Sequence, residues 1–356
     1  MEKPDLLFTE AVELLKELIA IPSFSKEEDK TADLIEAYLI DKGVAVTRSG
    51  NNVWAFASEY NPILPTVWLN SHHDTVKPNN GYSKDPYLAE EEDGKLYGLG
   101  SNDAGGPLVS LIAAFCHFIG KQLPFNLLMI ASAEEEISGA NGISSIIATL
   151  PEAEIAIVGE PTLMRLAVAE KGLLVIDAKV YGKAGHAARE EGVNAIYQTL
   201  EDLDEIRNFA FFKSSPFLGR TKVTATVIKA GHQHNVVPDL CEYTLDVRVT
   251  DAYTLEEAFQ ELKSKLKADL TPRSMRLQSS HLPDGHVMYR VAALLGLEKF
   301  GSPTLSDQAL IPWPSVKIGP GDSARSHTPD EFIFLQEIKS GIQGYISIIN
   351  KYAELS

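Results

Sequence analysis

Short, strongly apolar runs alternate with amphipathic stretches over the first 160 residues of the chain. Residues 66–70, 125–132 and 153–159 are compact apolar runs of the length expected for buried strands. The amphipathic or helix-like stretches, together with two short strands, predict helices at 1–18, 31–42, 107–120 and 140–150 and strands at 45–48 and 52–57. Strands that alternate with helices in this way indicate an α/β layer with a largely parallel sheet.

The pattern changes at about residue 166. Strands that alternate apolar and polar residues are predicted at 173–181, 222–229, 242–250 and 274–280, with helices at 193–208 and 254–270. This β-α-β-β-α-β order is typical of a ferredoxin-like unit. A helix at 287–300, a strand at 315–319 and a helix at 331–353 then resume the first pattern. We therefore expect a discontinuous α/β domain (1–164 and 282–356) with an α+β domain (165–281) inserted into it.

Charge and composition exclude several classes of protein. The 356 residues include 32 Lys and Arg against 49 Asp and Glu, a net charge of −17. Nucleic acid and anionic membranes call for a basic surface, so neither is an expected partner. Cys116 and Cys241 are too few and too far apart for a disulfide framework or a thiolate metal site. No secretion signal or membrane span is recognised, and we expect a soluble protein of a reducing, cytoplasmic compartment.

Polar side chains follow each of the three apolar strands. His72 and Asp74 come after the first, residues 134–136 (three glutamates) after the second, and Glu160 after the third. The glycine-rich stretch 98–106, which carries Asp103, lies between them in the chain. Ligands of open α/β sheets bind outside the carboxyl ends of the strands, so we expect these groups to converge. Carboxylates and imidazoles without thiolates suit zinc, or manganese or cobalt, at a hydrolytic site.

Each of these features has a plainer interpretation when it is taken alone. A single His-x-Asp pair is a weak signal, and a run of glutamates often marks only the solvated start of a helix. The glycine-rich stretch could be a phosphate-binding turn, although it lacks the Lys-Ser/Thr of a P-loop. Their occurrence at successive strand ends favours the metal site.

A set of ordered motifs resembles the dinuclear-zinc deacylase and exopeptidase family, which includes acetylornithine deacetylase, aminoacylase, succinyl-diaminopimelate desuccinylase and carboxypeptidase G. The likeness is strongest to the acetylornithine deacetylase-like members. The predicted inserted domain also resembles the family's lid and dimerisation domain. The matching segments span nearly the whole chain, at 71–76, 98–106, 132–136, 159–162, 185–186, 235–239 and 327–331.

The resemblance implies a role for each matching residue of the metal site. His72 and Glu160 would bind one zinc ion, Glu135 and His327 the other, and Asp103 would bridge the two. Asp74 would hydrogen-bond the imidazole of His72 and fix its tautomer. Glu134 would be the general base and later the general acid, which takes a proton from water and returns it to the leaving amine.

In the lid domain, the resemblance implies that His186 stabilises the oxyanion in the active site of a partner subunit, in a homodimer joined through the lid. Arg248 would hold a substrate carboxylate, with an ion pair to Asp246 as the alternative interpretation. The other positions implied to contact substrate are Asn235, Lys171 and Gly319.

The resemblance implies a zinc-dependent amidohydrolase, with cobalt or manganese as substitutes, that removes an acyl group from a small N-acylated amino acid. The expected substrate is an N-acylornithine of arginine biosynthesis, and the sequence leaves acetyl and succinyl groups open. A dipeptidase or aminopeptidase that uses the same metals is an alternative. A binding protein that kept the fold without catalysis is a second alternative.

Overall fold

The computed structural model describes residues 3–189 and 191–356. Its α-helices are α1 (Lys3–Ile19), α2 (Asp29–Asp41), α3 (Gly106–Phe118), α4 (Ala195–Asn208), α5 (Leu255–Lys263), α6 (Val287–Leu295) and α7 (Leu335–Leu355). Its strands are β1 (Val46–Ser49), β2 (Asn52–Phe56), β3 (Thr66–His72), β4 (Glu90–Glu92), β5 (Lys95–Tyr97), β6 (Asn126–Ser132), β7 (Ala153–Val158), β8 (Leu166–Glu170), β9 (Gly172–Tyr181), β10 (Gly185–His186), β11 (Ser214–Ser215), β12 (Gly219–Arg220), β13 (Lys222–Ala230), β14 (Val236–Val237), β15 (Leu240–Val249), β16 (Asp269–Pro272), β17 (Ser280–His281), β18 (Lys299–Ser302), β19 (Ser315–Lys317) and β20 (Phe332–Phe334).

The chain divides into two compact units. The first comprises the residues up to Val168 together with His281–Phe300 and Ser306–Ser356, and the second comprises Ala169–Ser280 and Gly301–Leu305. The sequence placed the boundaries at 164/165 and 281/282, within a few residues of this division. It did not anticipate that 301–305 returns to the second unit.

A nine-stranded sheet runs through the first unit in the order β1-β2-β6-β3-β7-β19-β8-β17, with β18 paired to β8. The pairs β3–β6, β3–β7 and β7–β19 are parallel, as expected for the centre of an α/β sheet. Every residue of β3 and β6 is buried, which accounts for the apolar runs 67–69 and 127–131 within them. The α/β class predicted for this unit is confirmed.

Helix α3 is the buried helix of this unit. Its residues Gly106–Phe115 are all buried, and it packs between the amphipathic helices α1 and α7. A helix that is apolar on all its faces needs such cover. Pro107 occupies its first turn, where the missing backbone N–H costs no hydrogen bond. The start of this helix is thereby held directly after the glycine-rich turn that carries Asp103.

The second unit has a four-stranded antiparallel sheet in the order β13-β15-β9-β16, with α4 and α5 in the chain order β-α-β-β-α-β. Alternate residues of β15 are buried, and its buried side chains form a core with those of β9 and α5. The alternation of apolar and polar residues in the sequence therefore matches the alternation of buried and partly exposed side chains along the strand. The short antiparallel pair β10–β14 and the hairpin β11–β12 extend the unit.

The helix predicted at 140–150 is instead two 3₁₀ turns, Ile143–Ser145 and Ile147–Thr149. The hydroxyl of Ser145 donates a 2.7 Å hydrogen bond to the carbonyl of Gly142. Such local side-chain bonds compete with an α-helical backbone, so this stretch does not wind into a continuous helix.

Two elements predicted in the second unit also differ from the observed ones. The helix predicted at 254–270 ends at residue 263, and the last strand lies at 269–272 rather than 274–280. The buried carboxylate of Asp202, on α4, accepts hydrogen bonds from the backbone N–H groups of Lys267 and Ala268. These bonds hold the chain in a non-helical path that leads directly into β16.

The helix predicted at 287–300 is shorter than expected, because Gly296 adopts a left-handed conformation (φ 67°) that ends α6. The following residues form β18. The small sheet of β4, β5 and β20 was not predicted, and β20 delays the start of the last helix to Leu335.

Among the described residues, no helix is both long and apolar enough to cross a membrane.

Candidate metal centre

Three neighbouring parallel strands bring the polar residues of the first unit together. Strand β3 lies between β6 and β7 and is parallel to both. It ends at His72, β6 leads into the turn Glu135–Ile137, and β7 ends two residues before Glu160. The carboxyl ends of parallel strands lie at one edge of the sheet, so these side chains meet there.

The first cluster of donor atoms consists of His72, Asp103 and Glu160, whose atoms all lie within 4.8 Å of one another. The Nε2 atom of His72 is 3.4 Å from Oδ1 of Asp103 and 3.8 Å from Oε1 of Glu160. His72 is almost fully buried. The three side chains converge on one point.

The second cluster consists of Asp103, Glu136 and His327. Nε2 of His327 is 3.0 Å from Oε2 of Glu136 and 3.7 Å from Oδ2 of Asp103. Asp103 therefore belongs to both clusters, and each of its carboxylate oxygens faces one histidine. This is the arrangement that a carboxylate bridging two cations requires.

The distances within each cluster fit metal ligands. Nitrogen and oxygen donors bound at about 2.1 Å in a tetrahedron lie about 3.4 Å from each other. The separations between histidine nitrogens and carboxylate oxygens in the two clusters run from 3.0 to 3.8 Å. The donors are imidazoles and carboxylates, which suit zinc, cobalt or manganese. The residues present therefore fit a pair of divalent cations.

The acidic side chains and histidines of the two clusters shift one another's pKa values, because several carboxylates lie close together. Burial alone would lower the pKa of His72, but Glu135 and Asp103 hold it well above its usual value of 6.5. A hydrogen bond that His327 donates to the Glu136 carboxylate, together with the charge of that carboxylate, raises the pKa of His327 to about 9. Burial, with the charge of Glu160 beside it, raises the pKa of the Glu135 carboxyl. The site has an excess of negative charge that a cation would compensate.

Asp74 holds both His72 and the glutamate turn. Nδ1 of His72 is 2.9 Å from the backbone oxygen of Asp74 and 3.4 Å from its carboxylate, which leaves Nε2 free for a cation. The Asp74 carboxylate also accepts hydrogen bonds from the backbone N–H groups of Glu135 (3.0 Å) and Glu136 (3.2 Å) and from the hydroxyl of Ser25 (2.7 Å). One buried side chain thus orients a histidine and two glutamates.

The three consecutive glutamates point to three different places. Glu134 has a left-handed backbone (φ 51°), and its carboxylate accepts hydrogen bonds from the side-chain amide and the backbone N–H of Asn141. The carboxylate that approaches Nε2 of His72, at 3.8 Å, is that of Glu135. Beside His327 lies Glu136, where the sequence led us to expect Glu135. The observed geometry thus shifts the expected pairing by one residue.

The reason for this shift is the turn itself. The left-handed residue after β6 reverses the chain, and the following residues form a 3₁₀ turn whose side chains no longer alternate with a period of two. Sequence periodicity cannot say which member of such a triplet faces which direction.

Two buried carboxylates beneath the site were not singled out from the sequence. Glu331 accepts backbone N–H bonds from the turn that carries Asp103, and burial raises its pKa to about 8. Asp307 accepts hydrogen bonds from Asn70 on β3 and Ser132 on β6, and burial raises its pKa as well. Glu331 lies within the motif at 327–331, which could have drawn attention to it, whereas Asp307 carries no comparable signal.

Two further residues of the first unit, Gly319 and His73, pack closely against their neighbours. Gly319 donates its N–H to the hydroxyl of Thr162, and a Cβ added there would lie 2.6 Å from the backbone oxygen of Glu160. His73, for which no role was predicted, is buried between Thr31 and the backbone of Asn51, and burial lowers its pKa to about 4. It packs beneath the site as a neutral side chain.

The predicted residues of the second unit lie on or beside the β10–β14 pair and the four-stranded sheet. His186 is exposed on β10, and its Nδ1 accepts a hydrogen bond from the N–H of Ala188. Asn235 lies beside it, because its carbonyl accepts a hydrogen bond from Ala187. Arg248 on β15 forms a two-point ion pair with Asp246, at 2.8 and 3.0 Å, which is the alternative interpretation of this residue. The backbone N–H of Lys171 donates to the carbonyl of Ser302.

Comparison with known proteins agrees with this architecture. The chain is 28% identical over 365 residues to the acetylornithine deacetylase of Proteus mirabilis, covering 90% of this chain and 91% of that protein. It is 26% identical over 335 residues to a protein of Pyrobaculum aerophilum named as a LysW-lysine/LysW-ornithine hydrolase, covering 92% and 93%.

The fold recurs in the YXEP protein of Bacillus subtilis, described as a dinuclear metal-binding peptidase. The TM-score is 0.71 at 16% identity, covering 99% of this chain and 100% of that one. Residues 68–351 match the family model of peptidase family M20/M25/M40. Since this match includes most of the chain and all of the residues of both clusters, the protein is a member of peptidase family M20/M25/M40 and thus of a family of hydrolases.

Proposed function

We propose that this chain is a dinuclear-metal amidohydrolase that removes an acyl group from the amine of an N-acylated amino acid, with N-acylornithine as the first candidate. The observation that carries the proposal is the pair of clusters joined by Asp103, whose two carboxylate oxygens face His72 and His327. The relatives named as an acetylornithine deacetylase and a LysW-lysine/LysW-ornithine hydrolase support an acylated diamino acid as substrate.

The proposed ligands follow from the two clusters. His72 and Glu160 would hold one cation, Glu136 and His327 the other, and Asp103 both. Zinc is the first candidate, and cobalt or manganese would suit the same donors. The chemistry that such cations supply when bound is polarisation of the scissile carbonyl and a lowered pKa of water.

Glu135 is the proposed general base, in place of Glu134. Its carboxylate lies beside the first cluster, 3.8 Å from Nε2 of His72, and burial raises its pKa. A carboxyl group with a raised pKa can take a proton from the attacking water and return it to the leaving amine. The Glu134 carboxylate, held by Asn141, supports the turn that presents Glu135 and Glu136.

Residues of the second unit are proposed to act on the substrate. With Nδ1 of His186 accepting from Ala188, the neutral ring carries its proton on Nε2, where it can donate to a developing oxyanion. Asp246 occupies one edge of the Arg248 guanidinium and leaves its Nη1 for a substrate carboxylate. Asn235 and Lys171 of this unit, and Gly319 of the first unit, are proposed to complete the substrate site.

A homodimer formed through the second unit is part of the proposal, with His186 serving the other copy. Strand β13 is an edge strand of its sheet, and Val227 and Ile228 on it are exposed. Tyr197 and Leu200 on α4 are exposed as well. An exposed edge with apolar side chains is a ready surface for strand pairing between copies.

Both cysteines are free, in accordance with a reducing compartment such as the cytoplasm.

A substrate panel tests the proposed reaction. The zinc- or cobalt-loaded enzyme would be assayed for amine release from N-acetyl and N-succinyl derivatives of ornithine, citrulline, lysine and arginine. We expect the acyl derivative of one of these amino acids, with N-acylornithine as the first candidate, to give the highest kcat/KM. Absence of hydrolysis across the panel by metal-loaded protein would overturn the proposal.

A peptidase is the second candidate, favoured by the fold shared with the B. subtilis peptidase. Such an enzyme would cleave dipeptides and tripeptides with a free α-amino group and leave N-acyl amino acids intact. The same assay with a set of dipeptides separates the two functions. If the protein bound cations but hydrolysed neither class, it would be a binding protein with the family fold.

A further inference from the structure

The carboxylate of Glu331 gathers three backbone N–H groups from one turn. Oε1 accepts hydrogen bonds of 2.9 Å from Asn102 and from Asp103, and Oε2 accepts one of 3.2 Å from Gly100. Glu331 is only 2% exposed. Converging backbone N–H groups form a concavity that binds acceptor oxygens, and here the acceptor is a carboxyl side chain of the protein itself.

The turn that Glu331 holds is the one that presents Asp103. Gly100 has a left-handed backbone (φ 74°), and Asp103 departs from helical geometry (φ −120°, ψ 101°). A turn of this shape cannot rely on helical hydrogen bonds, so its N–H groups need another acceptor. Glu331 is that acceptor, and it sets where the Asp103 carboxylate stands.

Glu331 lies only four residues after His327. The intervening segment is itself anchored, because the carbonyl of His327 accepts a hydrogen bond from the side-chain amide of Asn79. The short segment therefore carries His327 at its start, and Glu331 at its end is hydrogen-bonded to the turn that carries Asp103.

We propose that Glu331 is a positioning residue that sets the separation of Asp103 and His327, so that both side chains meet the same cation. This inference rests on the proposed metal centre. The side chain of Asn102 also bonds to Asp322 and Ser326, ahead of His327, but the backbone N–H of Asp103 itself is held by Glu331. Without the Glu331 carboxylate, Asp103 would lose that contact. The second cation, shared by Glu136, Asp103 and His327, would then bind more weakly.

The test is cation binding to the full-length protein after its metals have been removed with a chelator. Co²⁺ would be titrated into wild type and Glu331→Gln by calorimetry, and the visible absorption of bound Co²⁺ would report its coordination geometry. Glutamine has the same shape but one acceptor oxygen, and its NH₂ would face an N–H of the turn. We expect the affinity for one of two Co²⁺ equivalents to fall by about 10- to 100-fold, with an altered spectrum.

Asp330→Asn is the matched control. Asp330 is the neighbouring carboxylate and also accepts three hydrogen bonds, but from Ser83 and Lys84 rather than from the Asp103 turn. It should lose stability while both Co²⁺ equivalents keep their affinity and spectrum. Wild-type binding by Glu331→Gln, or an equal loss in Asp330→Asn, would overturn the inference.

Two further outcomes are distinguishable. If Glu331→Gln does not fold, Glu331→Asp keeps the charge and withdraws the carboxylate by one methylene; a weakened equivalent supports the proposal and unchanged binding overturns it. Wild-type protein that binds fewer than two equivalents would instead overturn the proposed dinuclear centre, and this inference with it.

Discussion

The carboxylate of Glu136 lies 3.0 Å from Nε2 of His327, although 191 positions separate the two residues in the chain. The contact is created by the left-handed turn at Glu134, which directs Glu136 toward the His327 loop and Glu135 toward His72. This relationship decides which glutamate is proposed as a ligand and which as a base, and it can be tested directly.

We expect Glu135→Gln to lower kcat by about 10²- to 10⁴-fold, because the base is lost, while both metal equivalents stay bound. Glu136→Gln should instead reduce the bound metal. Activity assays together with metal analysis of the purified proteins measure both effects.

Glu134→Gln is the control for this assignment. Its remaining carbonyl oxygen can still accept a hydrogen bond from the Asn141 amide, so we expect a smaller loss of kcat than in Glu135→Gln. A larger loss in Glu134→Gln, at full metal content, would return the role of base to Glu134.

Removal of metal should destabilise the first unit. Carboxylates and imidazoles packed at the strand ends repel or compete for protons when no cation is present. A free cation at 100 times its Kd stabilises the folded state by about 2.7 kcal/mol for one site. Denaturant unfolding with chelator and with added zinc measures the difference, and His72→Ala should reduce it. Equal stability under the two conditions would contradict the proposed centre.

Asp202 should be a major determinant of the stability of the second unit. Its buried carboxylate accepts hydrogen bonds from the Tyr243 hydroxyl and from the backbone of Lys267 and Ala268. Asp202→Ala leaves these buried donors unpaired, and we expect a loss of about 2–4 kcal/mol in the free energy of unfolding.

Asp204→Ala is the matched control for Asp202→Ala. It lies on the same helix, but its carboxylate is exposed and pairs, among the residues that the structure describes, with Arg207 alone, so its effect should stay within about 0.5 kcal/mol. Metal content should be unchanged in both variants, since every proposed ligand belongs to the first unit. Equal denaturation midpoints would contradict the importance of Asp202.

His286 should make the protein less stable in weak acid. Burial lowers the pKa of this imidazole below its usual 6.5, so the unfolded chain binds a proton that the folded chain does not. This contribution to stability is complete above about pH 6.5 and is lost as the pH falls below it.

His286→Asn tests this pH dependence. His286 caps α6 by accepting a hydrogen bond from the N–H of Met288, and asparagine can cap a helix without titrating. The free energy of unfolding should fall less between pH 7.5 and 5.5 in the variant than in wild type. Parallel losses would show that His286 does not contribute.

Mixed dimers should recover activity if His186 serves the other copy. His186→Ala and Glu135→Gln should each be poorly active, and their co-expressed heterodimer should regain part of the wild-type kcat, because one site is then complete. Co-expression of His186→Ala with a His186→Ala/Glu135→Gln double variant is the control without recovery. No recovery in verified heterodimers would argue that His186 serves its own subunit.

Much of the fold was predictable because burial leaves its period in the sequence. The continuous apolar runs of β3, β6 and β7 mark strands covered on both faces, and the alternation in β9 and β15 marks strands covered on one. Predictions were wrong where a local or long-range hydrogen bond overrode helical patterning, as with Ser145 and with Asp202. Such bonds depend on partners that no local window contains.

The sequence by itself determined the kind of chemistry at this site. Imidazoles and carboxylates without thiolates, placed at successive strand ends, indicate a metal centre before any coordinate is known. Only the tertiary structure decided which side chains share a point in space. It placed Glu136 beside His327, and it put Glu331 under the Asp103 turn. The reason is physical. The periodicity of apolar residues indicates which face of a strand is buried. The distances between residues far apart in the chain are instead set by a left-handed turn and by the order of strands in the sheet.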